Sequence, residues 1–411
     1  MITLTKQNIV SYIRKHVPSV ELCDPVEVHL IGEGDLGADI EGDGYCNYVF
    51  TVSDGKHSVI VKQSTETLRR RGSVLTPRRN RFEYEIMQLR SAIVPQYVPK
   101  VFHVDFDNYI IVMEDVSNLK LVRFEFNKDH QLPRFAYQGA EYLAATHFYT
   151  SEFYLPTKTY RALLAHFMNA ELRSVMENGI FLGIFGADDF DHACGQDYVN
   201  YCKWVFEDPD LKFQRYKLRH LFMSKSETLI HGDFHTSNIF ADDDSLKVID
   251  MEYTFGAPFS YDLGFILANI LSQYCSAAFR PYDNEADRKE CLAYLLSLFK
   301  MLYTNYISFF YQYWDKDAKI EYQVTKGYKE TIGLDILREC LGFAACVNFS
   351  RVCGTMDTAD FDFIEDNDLR TKAKFLAVDI DVALFRKWNS YDHIDQVIDD
   401  LIDLLNHRKN Q

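Results

Sequence analysis

The chain has 411 residues, 47% of them hydrophobic and 15% aromatic, enough for a large core and for two or three compact units. Its net charge of −16 repels polyanions, which argues against nucleic acid and anionic membrane as partners and leaves room for a small anion met by a metal ion and a local lysine. Nine cysteines without a CxxC pair, a charged opening "MITLTKQNIVSYIRKHV" with no signal-peptide pattern, and apolar runs too short to span a bilayer lead us to expect a cytoplasmic protein.

The first third reads as β-rich. "NYVFTVS" and "HSVIVKQ" are β-branched runs joined at Asp54-Gly55, a hairpin signal. "RFEYEIMQLRSAI" predicts a helix with Phe82, Ile86 and Leu89 on its apolar stripe. "PKVFHVD" and "NYIIVMED" predict two further strands turned at Asp107-Asn108. After Asn118 the pattern becomes helical, through "RFAYQGAEYLAATHFY", "YRALLAHFMNAELRSVM", "FQRYKLRHLFMS", "AYLLSLFKMLYTNYISFFYQYW" and "DILRECLGFAACVNF". Short strands interrupt it only near Leu229–Phe240 and Leu246–Ile249. The expected architecture is α+β: a small β-rich lobe over residues 1–115, a short connection, and a larger, mostly helical lobe over 116–411. A cleft between two such lobes is a natural ligand site.

Lys62 lies in "VIVKQ" with apolar neighbours at Val59 and Val61, where a lysine is either a solvated edge charge or a buried cation with partners. Upstream, Gly42 and Gly44 flank Asp43 between strand-like runs, and glycines let backbone N–H groups approach phosphate oxygens. Downstream, Glu83 and Glu85 sit on the predicted helix, and periodicity does not choose between them because they flank its apolar stripe. Glycine loop, strand lysine and helix glutamate is the order of protein-kinase-like folds. No G-x-x-x-x-G-K-[ST] occurs, so ATP would be handled on that scaffold and not on a P-loop.

"IHGDFHTSNIF" adds the chemistry. Asp233 follows a strand-like "TLI" and precedes another short strand, which projects its carboxylate into a cleft where it accepts a proton from a substrate hydroxyl attacking phosphorus. Asn238 offers a carbonyl oxygen to Mg²⁺, and Asp250, after the strand "LKVI", offers a carboxylate to the ion bridging the phosphates. The four-residue spacing of His231 and His235 raises a zinc site as a rival, but zinc hydrolases place that pair on a helix, and Gly232 with β-like flanks argues against one.

The stretch from "FMSKSETLIHGDFHTSNIF" to "VIDMEYTFGAPFSYDLGF" closely resembles the catalytic region of methylthioribose kinases, within the aminoglycoside and choline kinase-like group. "GDGYCNYVF", "VPKVFHVD", "VMEDVS", "FYTSEF" and "DFDFIEDNDLR" extend the likeness over most of the chain. The resemblance implies a two-lobed kinase-like fold and phosphorylation of the anomeric 1-hydroxyl of 5-methylthioribose, a step of methionine salvage. It implies Asp233 as the catalytic aspartate, Asp250 and Glu252 as Mg²⁺ ligands, Lys62 on the nucleotide phosphates and Asn47 in the nucleotide loop. It further implies backbone groups of Glu114 and Val116 reading adenine, and a homodimer. Three departures stand out: Asn238 where that family usually has serine, Glu339 after Arg338 where it carries an arginine pair, and no tryptophan in "RRRGSVLTPRRNRF". Arg338 is expected to stabilise the transferred phosphoryl group. Two other readings stay open: a kinase of another sugar, aminoglycoside or amino alcohol, and a kinase-shaped nucleotide-binding protein without activity.

Overall fold

The computed structural model describes residues 2–32, 47–66, 74–183, 190–354 and 358–410. Strands β1 (Glu27–Leu30), β2 (Tyr48–Ser53), β3 (Ser58–Gln63), β4 (Val101–Asp105) and β5 (Ile110–Glu114) form an antiparallel sheet in the order β1-β2-β3-β5-β4. Helix α1 (Ile9–His16) contributes Ile9, Tyr12 and Ile13 to the core over one sheet face, and α2 (Arg79–Ile93) lies on the other side. The β2–β3 hairpin turns where expected: Gly55 adopts φ +84°, and Asp54 Oδ1 accepts the N–H groups of Lys56 and His57 at 2.8 and 2.7 Å.

The period of two along β3 places Lys62. Val59 and Val61 join Phe50, Val52, Ile110 and Val112 in the core beneath α1. Ile60 and Lys62 alternate with them and face the other way, where Ile111 and Met113 merge with the core of the rest of the molecule. The helix stripe is rotated from the expected one. On α2 the buried positions are Arg79, Asn80, Glu83, Ile86, Met87 and Arg90, whereas Phe82 and Leu89 are only partly buried.

From residue 120 onward the chain is mainly helical. The elements are β6 (Lys120–Leu121), α3 (Val122–Asn127), α4 (Phe135–Tyr149), α5 (Thr157–His166), α6 (Ala170–Gly179), α7 (Gln196–Glu207) and α8 (Pro209–Ser224). They continue through β7 (Thr228–Leu229), β8 (Ile239–Ala241), β9 (Leu246–Val248), β10 (Gly256–Ala257), α9 (Ser260–Phe279) and α10 (Glu285–Asp317). The remainder is α11 (Ile320–Gln323), α12 (Tyr328–Val352), α13 (Ala359–Asp362), α14 (Asn367–Lys387) and α15 (Ile394–Lys409). Every residue of α9 from Ser260 to Ala278 is buried, with α10, α12 and α14 packed around it. A mostly apolar helix of this kind belongs in the interior, and its buried polar side chains Asp262, Asn269 and Gln273 are hydrogen-bonded there. No helix among the described residues is long and apolar enough to cross a membrane.

Strands β1 and β10 were not expected from the sequence, and the stretch from Tyr160 to Met176, which reads as helical throughout, is divided between α5 and α6 at Asn169, whose φ is +42°.

Candidate active site

Lys62 is the centre of a buried ion cluster. Its Nζ donates to Glu83 Oε1 at 2.8 Å and to Asp250 Oδ1 at 2.5 Å, and Glu252 Oε2 lies 3.9 Å away. Burial alone would lower the lysine pKa; Asp250, Glu83 and Glu252 outweigh it and hold the ammonium protonated. Burial pushes Glu83 up, to about 7, against the pull of Lys62. The choice between the two helix glutamates is thereby settled in space: Glu83 is 1% exposed and meets Lys62, while Glu85 pairs at the surface with Arg81 and His166.

Glu252 is fixed by two groups. Asn47 Nδ2 donates to its Oε2 at 3.0 Å, and Arg79 Nε approaches the same oxygen at 3.2 Å. Arg79 closes the triangle by donating to Asn47 Oδ1 at 2.7 Å. Arg79 was given no role from the sequence; its guanidinium is fully buried in the site. Asp250 itself adopts φ +60°, a left-handed conformation that aspartate tolerates and that recurs at functional sites.

The loop bearing Asp233 is positioned by backbone bonds to a buried carboxylate. Asp262, on the first turn of α9, accepts the N–H groups of both His231 and Gly232, and His147 Nε2 sits 3.2 Å from its Oδ2. Gly232 has φ +86°, and a Cβ there would fall 2.5 Å from the Tyr253 carbonyl oxygen, so no other residue fits between the two loops. His231 Nε2 donates to the Ile249 carbonyl at 2.9 Å, and its Nδ1 accepts the Asp233 N–H at 3.3 Å. Burial, aided by the charge of Arg90, lowers its pKa to about 4, so this histidine is a neutral brace. Ile249 in turn donates its N–H to the Asn238 carbonyl. These bonds set the register of Asp233 against Asp250.

Asp233 stays ionised. Burial would raise its pKa, but His235, then Arg351 and His231, bring it down to about 2. His235 Nδ1 accepts from Ser237 N–H, which leaves Nε2 to carry the proton, 3.3 Å from Asp233 Oδ2. Both histidines are thus used as loop supports, and neither lies on an α-helix, so the spacing that raised a zinc site has another explanation. Asn238 Nδ2 donates to the Asp233 carbonyl at 3.0 Å, which turns its Oδ1 outward from that bond. Tyr261 is fully buried, its hydroxyl has no hydrogen-bond partner, and the charge of Asp233 acts on it. It was not among the residues singled out from the sequence.

The other expected positions are placed as follows. Glu114 ends β5, its N–H donating to the Lys100 carbonyl and its Oε2 meeting Lys247 Nζ at 3.3 Å. Val116 is buried, with its carbonyl accepting from Leu119. Arg338 is engaged elsewhere: Nε donates to the Tyr391 carbonyl at 3.0 Å and the guanidinium pairs with Asp392 at 2.7 Å. The α12 arginine whose charge reaches Asp233 is Arg351. Glu339 is buried between Lys225 and Ser260. Gly42 and Gly44 lie outside the described residues.

Glu83, Asp250 and Glu252 are the one group of three metal-capable side chains among the described residues, with ligand oxygens within 4.8 Å of one another. Glu83 Oε2 is buried and has no hydrogen-bond partner. Clustered carboxylates suit a hard divalent cation, so the donor set fits the metal that nucleotide chemistry requires.

A lysine paired to a helix glutamate, an aspartate and glutamate in a following loop, and an ionised aspartate on a braced loop define an ATP-dependent phosphotransferase of the two-lobed kinase type. The model of the phosphotransferase enzyme family matches residues 41–294. The chain is 32% identical over 337 residues to the methylthioribose kinase of Geobacillus thermodenitrificans, covering 81% of this chain and 82% of that one. It is 30% identical over 405 residues to the methylthioribose kinase of Yersinia enterocolitica, covering 96% and 97%. Among solved structures, a choline kinase from Cryptosporidium parvum Iowa II aligns with a TM-score of 0.47 at 14% identity, covering 98% and 100%. The chain belongs to the methylthioribose kinase family of these phosphotransferases.

Proposed function

We propose that the protein transfers the γ-phosphoryl group of ATP, with Mg²⁺, to the 1-hydroxyl of 5-methylthioribose, in the cytoplasm and in the service of methionine salvage. The observation that carries this reading is the Lys62–Glu83–Asp250–Glu252 cluster held in register with an ionised Asp233. The names and coverage of the relatives support the acceptor.

In this reading residues 1–115 form the nucleotide-binding lobe and residues 116–411 the catalytic and acceptor-binding lobe. Backbone groups of Glu114 and Val116 read the adenine, and the Gly42–Gly44 loop covers the phosphates. Lys62 anchors the phosphate tail, and Glu83 keeps its ammonium aimed at the cleft. Asp250 and Glu252, with Asn238 from the catalytic loop, hold the Mg²⁺. The bound ion offsets negative charge on the β- and γ-phosphate oxygens. Asp233, ionised, orients the acceptor hydroxyl and takes its proton as the oxygen attacks phosphorus. Arg351, whose charge already acts on Asp233, is the better placed of the two α12 arginines to meet the transferred group. Most of the rate enhancement then comes from positioning and fixed charge.

The test is phosphoryl transfer from labelled ATP across an acceptor panel: 5-methylthioribose, ribose, an aminoglycoside and choline. The reading requires kcat/KM to be highest for the thioribose sugar, with the product phosphorylated at its anomeric oxygen. Turnover of an aminoglycoside or amino alcohol alone would move the acceptor and keep the chemistry. Tight ATP binding with no transfer to any of the four would favour a nucleotide-binding protein.

A further inference from the structure

The break between α5 and α6 is marked by neither proline nor glycine; only the weaker helix formers His166, Phe167 and Asn169 stand at it, and residues of this kind are common inside helices. Asn169 turns the chain there in a left-handed conformation, φ +42° and ψ +48°, and is 5% exposed. Asparagine visits this region more readily than most residues, yet the turn interrupts a helix and persists where surrounding contacts over-determine it. Those contacts lead into the active site. The Asn169 Nδ2 donates to the carbonyl oxygens of Glu252 at 2.9 Å and Thr254 at 3.1 Å, gripping the backbone on which the Glu252 carboxylate is mounted.

The same corner also grips the helix that carries Glu83. His166 Nε2 lies 2.6 Å from Glu85 Oε2, and the ring of Phe167 packs against Phe82 at 6.0 Å. These contacts fall on the residues either side of Glu83 and Tyr84. Ahead of the helix, both carboxylate oxygens of Glu171 accept the Thr76 N–H at 3.1 Å, and Leu172 packs with Leu75 and Tyr253. One short corner of the helical lobe therefore holds the supports of two carboxylates that belong to different parts of the chain.

We propose that Asn169 is a positioning residue for the metal–nucleotide site, and that the α5–α6 corner fixes Glu83 and Glu252 in one frame before nucleotide arrives. The Lys62 cluster is then preassembled by an inter-lobe brace and does not wait for a swing of α2. This rests on reading the cluster as the phosphate and metal site of a kinase.

The experiment uses the full chain, with Mn²⁺ and the non-hydrolysable AMP-PNP as probes. Mn²⁺ binding is followed by electron paramagnetic resonance, ATP and acceptor KM by steady-state kinetics, and folding by thermal melts. Asn169→Gly removes the amide donors while relieving the left-handed backbone. Its Mn²⁺–AMP-PNP affinity is expected to fall roughly 10- to 100-fold, the usual effect of losing a group that orients a metal ligand. KM for ATP should rise with it, and KM for the acceptor should not change. The surface variant His166→Ala/Glu171→Ala keeps Asn169, spares the core, and should weaken the same binding to a lesser degree. Wild-type affinity in both variants overturns the brace, and so does a loss confined to acceptor KM. If Asn169→Gly fails to fold, the surface variant alone decides by the same criterion. Failure of the wild-type protein to bind Mn²⁺–AMP-PNP is a different result: it overturns the phosphotransferase reading, and the brace with it.

Discussion

Asp262 accepts the backbone N–H of His231 at 2.6 Å with one carboxylate oxygen and that of Gly232 at 3.0 Å with the other. Burial would raise its pKa, but the bond and charge from His147 and the hydrogen bond from the His231 N–H lower it, so the group is an anion at the start of a long helix, where the dipole also favours it. The loop bearing Asp233 therefore hangs from a fully buried carboxylate. Asp262→Asn keeps the shape but offers one acceptor oxygen where two are used, leaving a buried N–H facing an amide N–H₂. An unsatisfied buried donor costs about 1–3 kcal/mol, and a misplacement of about 1 Å in the loop costs on the order of 10²-fold in rate. Urea unfolding should show the lower stability and the transfer assay the lower kcat. A variant with the wild-type midpoint and rate would mean that the loop is held by something else.

Lys62 is the cation shared by three carboxylates, Glu83, Asp250 and Glu252, of which Glu252 also meets Arg79. Lys62→Met should leave those charges facing one another and destabilise the fold by about 3–5 kcal/mol, the scale for breaking a buried pair. A divalent ion can take over the missing positive charge. Millimolar Mg²⁺ should therefore raise the melting temperature of Lys62→Met by more than it raises that of the wild type. Equal shifts would show that the carboxylates do not share a cation site. ATP turnover should stay low with or without the rescue, because Lys62 is the proposed phosphate anchor.

How much of this was legible depends on the range of the signal. The Asp54-Gly55 hairpin, the strand bearing Lys62 and the short strand-loop settings of Asp233, Asn238 and Asp250 are each local, and turn chemistry announces them, whereas Glu252 entered through the family resemblance. Glu83 and Glu85 were not separable because the helix meets two surfaces: its buried polar face follows Arg79, Glu83 and Arg90, not the apolar stripe. Arg79 and Asp262 look like ordinary surface charges in sequence, and only tertiary packing makes them buried partners. Asn169 breaks a helix that propensity would continue, for the sake of bonds to residues more than eighty positions away.

The two α12 arginines should separate cleanly. Arg338 ties the helix to the carbonyl of Tyr391 and to Asp392 just before α15, and its side chain is 30% exposed. Arg338→Ala is expected to cost about 1 kcal/mol of stability, the net worth of such bonds, and to leave kcat/KM near the wild-type value. Arg351 acts on Asp233, and Arg351→Ala should lower kcat. Measured side by side, the reverse pattern would return the phosphoryl-binding role to Arg338.

Asp233→Asn should lower kcat by roughly 10²–10⁴-fold, the scale for a positioned base. Its pH dependence carries a further check. A carboxylate held near 2 in the folded state contributes stability above its ordinary value of 3.8, and that contribution is lost only as pH falls toward 2. Between pH 5 and 8 Asp233 is ionised throughout, so any acidic limb of the wild-type kcat profile in that range belongs to another group. A limb abolished specifically by replacing Asp233 would contradict this.

Glu227 behaves in the opposite sense. It stands at the entrance to β7, with Lys225, Glu339 and Asp335 around it and the Phe259 N–H 3.2 Å from its Oε2. Burial, the largest influence, and the charges of Glu339 and Asp335 outweigh Lys225 and raise its pKa from 4.5 to about 7. A raised carboxyl pKa means that the folded state holds the proton more tightly than the unfolded one. Its stabilising effect is complete below about 4.5 and is lost as pH climbs to about 7. Glu83, Glu339 and Asp381 act in the same direction, whereas His231, lowered to about 4, gains stability over much of the same interval, so the contribution of Glu227 is read from the difference between the wild type and a variant. Glu227→Gln removes one of these groups, keeps an oxygen for the Phe259 N–H, and should make the change in melting temperature from pH 4.5 to 7 less negative than in the wild type. Melting curves at half-unit pH steps from 4.5 to 7.5 measure both slopes, and parallel slopes in the two proteins would rule out Glu227 as a titrating group in that window.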